Sequence, residues 1–255
     1  MHQEVVLPYI SAINRKLLTI IHLLNGYSFG DLKPLLNQTS FDWISCYDLI
    51  RSLYECFLQL NFVANRYKSD NEKLFIARWF HIRFFKERAE LAKSNKTINV
   101  NHKLQLESEI LKIMNLENLI IKDCAELKRR EENEFKWKKN SLFNNWPKPE
   151  KLYSFANIHE NKHRVFYKMH SIYSHSEPLA ILQIRSRNKI TAKQVNNLNS
   201  SHGRQSYLIG LVSFYSLKNV FKGVKVRLEK DKELEMKCLK ACEYFSSDTK
   251  EDETF

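Results

Sequence analysis

Ten residues constrain this chain more than any others: 5 Gly and 5 Pro are all it has in 255 positions. Tight turns and strand breaks draw on those two residue types, so a many-stranded sheet would lack punctuation and long helices are expected instead. The apolar periodicity agrees. It predicts helices from about Glu4 to Leu24, from Phe41 to Tyr67 and from Glu72 to Ala92, with Gly26, Gly30 and Pro34 separating the first two. After a polar loop at Asn95 to Asn101, one long helix with a charged outer stripe is expected from Leu104 to about Lys139. Its Lys128-Arg129-Arg130-Glu131-Glu132 end reads as a solvated surface of mixed sign. A break at Asn144 to Pro149 precedes helical sequence from Lys151 to Ser176, stopped by Pro178. The Asn-, Ser- and Lys-rich stretch from Ser186 to Gln205 reads as a mobile loop or short hairpin, and helices are expected over Ser206 to Phe221 and Val226 to Phe245. The fold class is therefore all-α, a multi-helix bundle with one long charged helix and a basic C-terminal helical segment. A single helical domain over residues 1–246 is expected, with an acidic, frayed tail at 247–255.

Hydrophobic residues make up 43% of the chain, enough for a core of that kind. The apolar run Leu17 to Leu24 contains His22 and is followed by no small-residue cleavage site, so no signal peptide is expected. No stretch reaches the roughly 18 uninterrupted apolar residues of a membrane span. Five cysteines, an odd number without staple-like spacing, fit a reducing compartment, and the expected location is the cytoplasm.

Charge is concentrated. Of a formal net charge of +12, nine Lys or Arg stand between Pro178 and Leu228 with no Asp or Glu among them. Such a block can neutralise phosphates or serve as a solvated face, and Arg185, Arg187, Lys189, Lys193 and Arg204 are its candidate nucleic-acid contacts.

Two helices carry polar stripes. Asp48, Arg51, Glu55 and Gln59 recur three or four residues apart on the most apolar helix, where a charge must be paired or must face a cleft. On the helix ending at Pro178, Arg164, Tyr167, Ser171, Ser174 and His175 cluster opposite Val165, Phe166, Met169, Ile172 and Tyr173, with His170 at the border. Histidine exchanges protons near neutral pH, so this face can do acid–base work or can be an ordinary polar surface. The spacing His159-Glu160-Asn161-Lys162-His163 matches a zinc-hydrolase helix, but no third ligand beyond a weak Glu177 follows, and no metal or other cofactor is expected.

The pairs Arg164/His170 and Arg15/His22, with five and six residues between them, resemble the Arg–His signature of HEPN ribonucleases. Further, Arg51-Ser52-Leu53-Tyr54-Glu55 and Tyr167 to His175 resemble the Arg–x–x–x–Glu and Tyr–x–x–x–Ser–x–x–x–His helices of a bacterial family of uncharacterised, HEPN-like abortive-infection proteins. The resemblance covers about residues 40 to 180 and departs at His170, where that family has an aliphatic residue. It implies that Arg51, Glu55, Ser171 and His175 converge in one cleft. It also implies a homodimer with a metal-independent ribonuclease or nucleotide-directed activity in anti-phage defence, alongside an antitoxin or defence partner. The competing expectation is a non-catalytic module that docks nucleic acid or an acidic protein.

Overall fold

The structure is a computed structural model describing residues 2–24, 43–94, 100–174 and 192–248. Those residues form nine α-helices and short 3-10 turns, with no strand among them, so the architecture is all-α. They divide into two compact units, Met1–Leu7 with Arg66–Lys148 and Pro8–Asn65 with Pro149–Phe255. Helix α1 (His2–Leu24) contributes to both.

In the first unit, α3 (Asp70–Ser94) begins at a capping box. Ser69 Oγ accepts the Glu72 amide at 3.2 Å, and Glu72 Oε2 accepts the Lys68 and Ser69 amides at 3.1 Å. Helix α4 (Val100–Asp123) packs on α3 and runs antiparallel to it. The direction is fixed by a ladder of ion pairs whose partner numbers fall as the α3 numbers rise: Arg78–Asp123 at 3.0 Å, Lys86–Glu117 at 2.7 Å and Arg88–Glu109 at 2.8 Å.

The helix expected from Leu104 to Lys139 is interrupted. Cys124 leaves helical geometry (φ −133°, ψ 28°), and α5 (Ala125–Glu134) follows as a separate element. Arg78 stands at the break: its Nη1 donates to the Leu119 carbonyl at 3.2 Å and to Asp123 at 3.0 Å, satisfying polar groups that close α4.

The solvated surface expected at Lys128 to Glu132 is overturned at three of its five positions, Arg129 remaining exposed. Lys128, Glu131 and Glu132 are buried, Glu131 completely. Glu131 accepts from Arg66 Nη2 and from Arg130 Nε, each at 3.0 Å, while Arg130 Nη1 reaches Glu72 at 2.7 Å. With that guanidinium as the largest influence, the Glu72 carboxyl is held down at about 2. Lys128 Nζ bonds Glu132 at 3.0 Å and Asn140 Oδ1 at 2.9 Å, and Glu132 Oε1 also accepts the Leu142 amide at 2.9 Å. Buried charges survive when every one of them is answered this way. The chain after α5 turns through left-handed Lys136 (φ 53°) and Asn140 (φ 63°) and folds over Trp79. The Trp79 indole donates to the Leu142 and Asn145 carbonyls at 3.2 and 3.1 Å.

In the second unit α2 (Trp43–Asn65) is central, packing on α6 (Glu160–Ser174) and α7 (Ala192–Ser216). It buries Ile50, Leu53, Tyr54, Phe57 and Leu58. Helix α7 packs in turn on α9 (Lys232–Ser246), reached through α8 (Lys222–Lys230). The helix expected over Val226 to Phe245 is divided at Asp231, whose Oδ1 caps α9 by accepting the Leu234 amide at 3.1 Å. The loop expected from Ser186 to Gln205 is helical from Ala192 onward, and residues 186–191 lie outside the described residues. Burial of its serines is made tolerable by back-bonding: Ser206, Ser213 and Ser216 donate to carbonyls one turn earlier, at 2.8, 2.6 and 2.8 Å. Helix α6 starts at Glu160, not near Lys151; before it come a 3-10 turn at Pro149–Lys151 and left-handed Asn157 (φ 54°). Along α1, Leu17 lies over Gly210 and Leu24 over Gly203 of α7. None of the described helices is long and apolar enough to cross a membrane.

Candidate functional site

Within the second unit, α2 presents a polar edge on an otherwise apolar helix, and α6 lays Tyr167 against it. Arg51 Nε donates to Glu55 Oε1 at 3.0 Å, one turn along α2. Its Nη2 donates to the Tyr167 hydroxyl at 3.1 Å, and the guanidinium carbon stands 4.9 Å from the centre of the Tyr167 ring. One cation is thus held by a carboxylate, a hydroxyl and a π face. The pair is only partly sequestered, with side-chain exposures of 16% for Arg51 and 29% for Glu55. Burial works against the Arg51 charge, but Tyr167 and Glu55 outweigh it and make the guanidinium harder still to deprotonate. Burial raises the Tyr167 phenol despite its bond to Arg51.

Two further residues join this edge: Lys16, which no motif flagged, and His163, which the zinc-like spacing flagged for a different role. Lys16, from α1, donates to Ser52 Oγ at 2.7 Å, so a second cation stands beside the residue next to Arg51. A signal for it exists in the sequence: Lys16 falls three residues after buried Ile13 and four before buried Ile20, on the inward side of α1. The other is His163, one turn before Tyr167. It is buried, stacked on Tyr153 (4.4 Å between centres, 12° between planes) and 5.4 Å from the Tyr167 ring. Its Nδ1 is 3.0 Å from the Tyr54 hydroxyl. Burial pushes the imidazole down and the Tyr54 phenol up, so both partners of this hydrogen bond are held uncharged.

That contact bears on the zinc-like spacing. His163 turns Nδ1 to Tyr54, whereas His159 accepts the Asn161 amide through its own Nδ1 at 3.3 Å and caps the start of α6 beside Asp248. Among the described residues no group of three His, Cys, Asp or Glu side chains is placed to hold a metal ion.

The remaining candidates are distributed as follows. Ser171 and His170 lie on α6 within the turn after Tyr167, with side chains outside the described residues, and His175 is outside them entirely. Arg164 is exposed. The division of α6 into polar and apolar sides needs correction: Val165, assigned to the apolar side, is 62% exposed, while the side buried against α2 carries His163, Phe166 and Tyr167. Asp48 is exposed at one end of the α2 stripe and Gln59 buried at the other. Arg15 and His22 are both exposed, Arg15 bonded to Ser11 on its own helix.

Of the basic block, Arg185, Arg187 and Lys189 are outside the described residues, and Lys193 lies in the first turn of α7 with its side chain outside them. Arg204 is placed. Its guanidinium is 6.0 Å from the centre of the Tyr244 ring, and Lys162 Nζ of α6 approaches that ring to 4.2 Å.

The fold and this arginine-centred cluster define a helical protein with a polar edge on its central helix. The chain belongs to DUF5677, a family of unknown function, whose model matches residues 3–190. The match spans α1 to α6, including Arg51, Glu55 and Tyr167, and ends before α7. No curated protein and no solved structure matches the chain.

Proposed function

We propose that this protein is a metal-independent ribonuclease or nucleotide-directed effector, HEPN-like in its chemistry, serving bacterial anti-phage defence or a toxin–antitoxin pair. The observation that carries the reading is Arg51, a partly exposed cation held by Glu55 and Tyr167 on the helix edge that α6 faces. A fixed guanidinium at a cleft mouth can bind a phosphate and stabilise the charge that develops on it. In this mechanism His175 takes the proton of a ribose 2′-hydroxyl, with Ser171 orienting the phosphate. The 2′ oxygen attacks phosphorus and the 5′ oxygen leaves with a proton given by His170 or returned by the His175 imidazolium, giving a 2′,3′-cyclic phosphate without metal.

A different observation supports a second reading, a non-catalytic module that docks nucleic acid or an acidic partner. Lys162 and Arg204, from two helices, both approach Tyr244, placing two cations and an aromatic ring on one surface.

Incubating the purified chain with end-labelled single-stranded RNA in EDTA separates the two. Cleavage to cyclic-phosphate ends, abolished in His175→Ala at unchanged melting temperature, is the expected result. Salt-sensitive binding without cleavage, weakened by Arg204→Ala, establishes the second reading instead.

A further inference from the structure

Helix α4 has two opposite faces. One packs on α3 and buries Glu109, Ile113 and Ile120. On the other, Leu104, Leu111, Met114 and Ile121 are 60, 61, 54 and 54% exposed. With Ile110 and Leu119, six of the fifteen large apolar side chains that are exposed among the described residues belong to this one helix. Concentration on that scale marks an interaction surface, where scattered exposed leucines would not.

The stripe has an internal pattern that selects its occupant. Residues 104, 107, 111, 114, 118 and 121 follow alternating steps of three and four, the seam of a heptad repeat. Four of the six are apolar, and Glu107 and Asn118 are the polar members. Turned end for end about the point between Leu111 and Met114, the stripe matches itself. Leu104 meets Ile121 of the second copy, Leu111 meets Met114, and Glu107 meets Asn118, whose amide can donate to the carboxylate. Any other register, or a parallel pairing, sets at least one polar member against an apolar one or a carboxylate against its own copy, which carries a desolvation cost.

We infer that the outer face of α4 is a self-association surface, on which a second copy of this chain packs its own α4 antiparallel. Such an interface is isologous, closed by a two-fold axis, and has no free end to propagate. It stands whether or not the Arg51 cluster cleaves RNA, since none of its residues belongs to that cluster.

Sedimentation equilibrium of the full chain reads the association, and crosslinking reads the direction. Leu111→Glu places a carboxylate in the central layers and should weaken self-association by about a hundredfold or more without loss of helix by circular dichroism. Leu104→Cys chains mixed with Ile121→Cys chains should crosslink as a heterodimer, above the background of the parent's own cysteines. Leu104→Cys alone should not, since two copies of residue 104 would lie about 25 Å apart along the helices. A chain that is monomeric at all concentrations overturns the inference. So does a dimer that survives Leu111→Glu, or efficient crosslinking of Leu104→Cys to itself.

Discussion

The two units handle buried charge differently. In the first, Glu131 is wholly buried and engaged by both Arg66 and Arg130, while Lys128 and Glu132 answer each other and also tie Asn140 and the Leu142 amide into place. In the second, Arg51 is held by Glu55 and the Tyr167 phenol, and its pair with Glu55 keeps contact with solvent. The first arrangement is a structural lock, because Glu131 and Glu132 lie out of water and lose counter-charge there when a cation is removed. The second is an edge at which a guanidinium can exchange partners. Charge on a helix is therefore not the discriminating feature; the burial of the carboxylate that answers the cation is, complete at Glu131 and partial at Glu55.

The largest effect is expected at the lock. Glu131→Ala takes the buried carboxylate from between Arg66 and Arg130, the latter keeping Glu72, and should cost about 3–5 kcal/mol in urea denaturation. Loss near that of a surface pair would mean water reaches the site. Arg51→Ala should cost less, about 1–2 kcal/mol, because its pair is part-exposed and water can replace the lost contacts. Equal losses for the two variants would erase the distinction drawn above.

A third test uses pH. Burial holds His163 below the ordinary imidazole value of 6.5, so the unfolded chain takes up this proton first. Its contribution is fully present above pH 6.5 and is lost as the pH falls from there through the folded-state value. Glu150 and Glu160 oppose the depression, and Tyr54, Tyr153 and Tyr167 surround the ring. His163→Asn retains an acceptor for Tyr54 and should flatten the stability profile below pH 6.5; an unchanged slope would assign it to other groups. The smallest effect is at Gly210, where an added Cβ would stand 3.5 and 3.8 Å from the Leu17 methyls, ordinary contact. Gly210→Ala should stabilise the chain by about 0.5–1 kcal/mol through helix propensity alone.

How much of this was legible follows from where the determining contacts lie. Helices α1, α2 and α3 were readable within about two residues because their apolar periodicity is local. The Arg51–Glu55 pair was readable for the same reason, since a four-residue spacing on a greasy helix demands it. The break at Cys124 was not, because neither Gly nor Pro marks it and the Arg78 contacts beside it come from 46 positions away. Burial of Lys128, Glu131 and Glu132 was hidden similarly: mixed signs suit a solvated helix equally well, and contacts from Arg66 and Asn140 decide otherwise. The Asp231 cap did carry a local signal, an Asp followed by acidic first-turn residues Glu233 and Glu235, that apolar periodicity ran through. Tyr167 was expected at the site, but its bond to Arg51 spans 116 positions and could be known only from the fold.

The aromatic packing around Trp79 has an optical consequence. Of the four tryptophans, Trp79, Trp137 and Trp146 all belong to the first unit, with the latter two ring centres 5.8 and 4.8 Å from Trp79. Tryptophan emission, excited at the red edge where tyrosine does not absorb, will therefore be dominated by that unit, and entirely so in Trp43→Phe, whereas far-ultraviolet dichroism sums every helix. Recorded on one denaturant titration, the two signals act as separate clocks. Coincident midpoints mean that both units melt as one cooperative body, and a lag between emission and ellipticity resolves two.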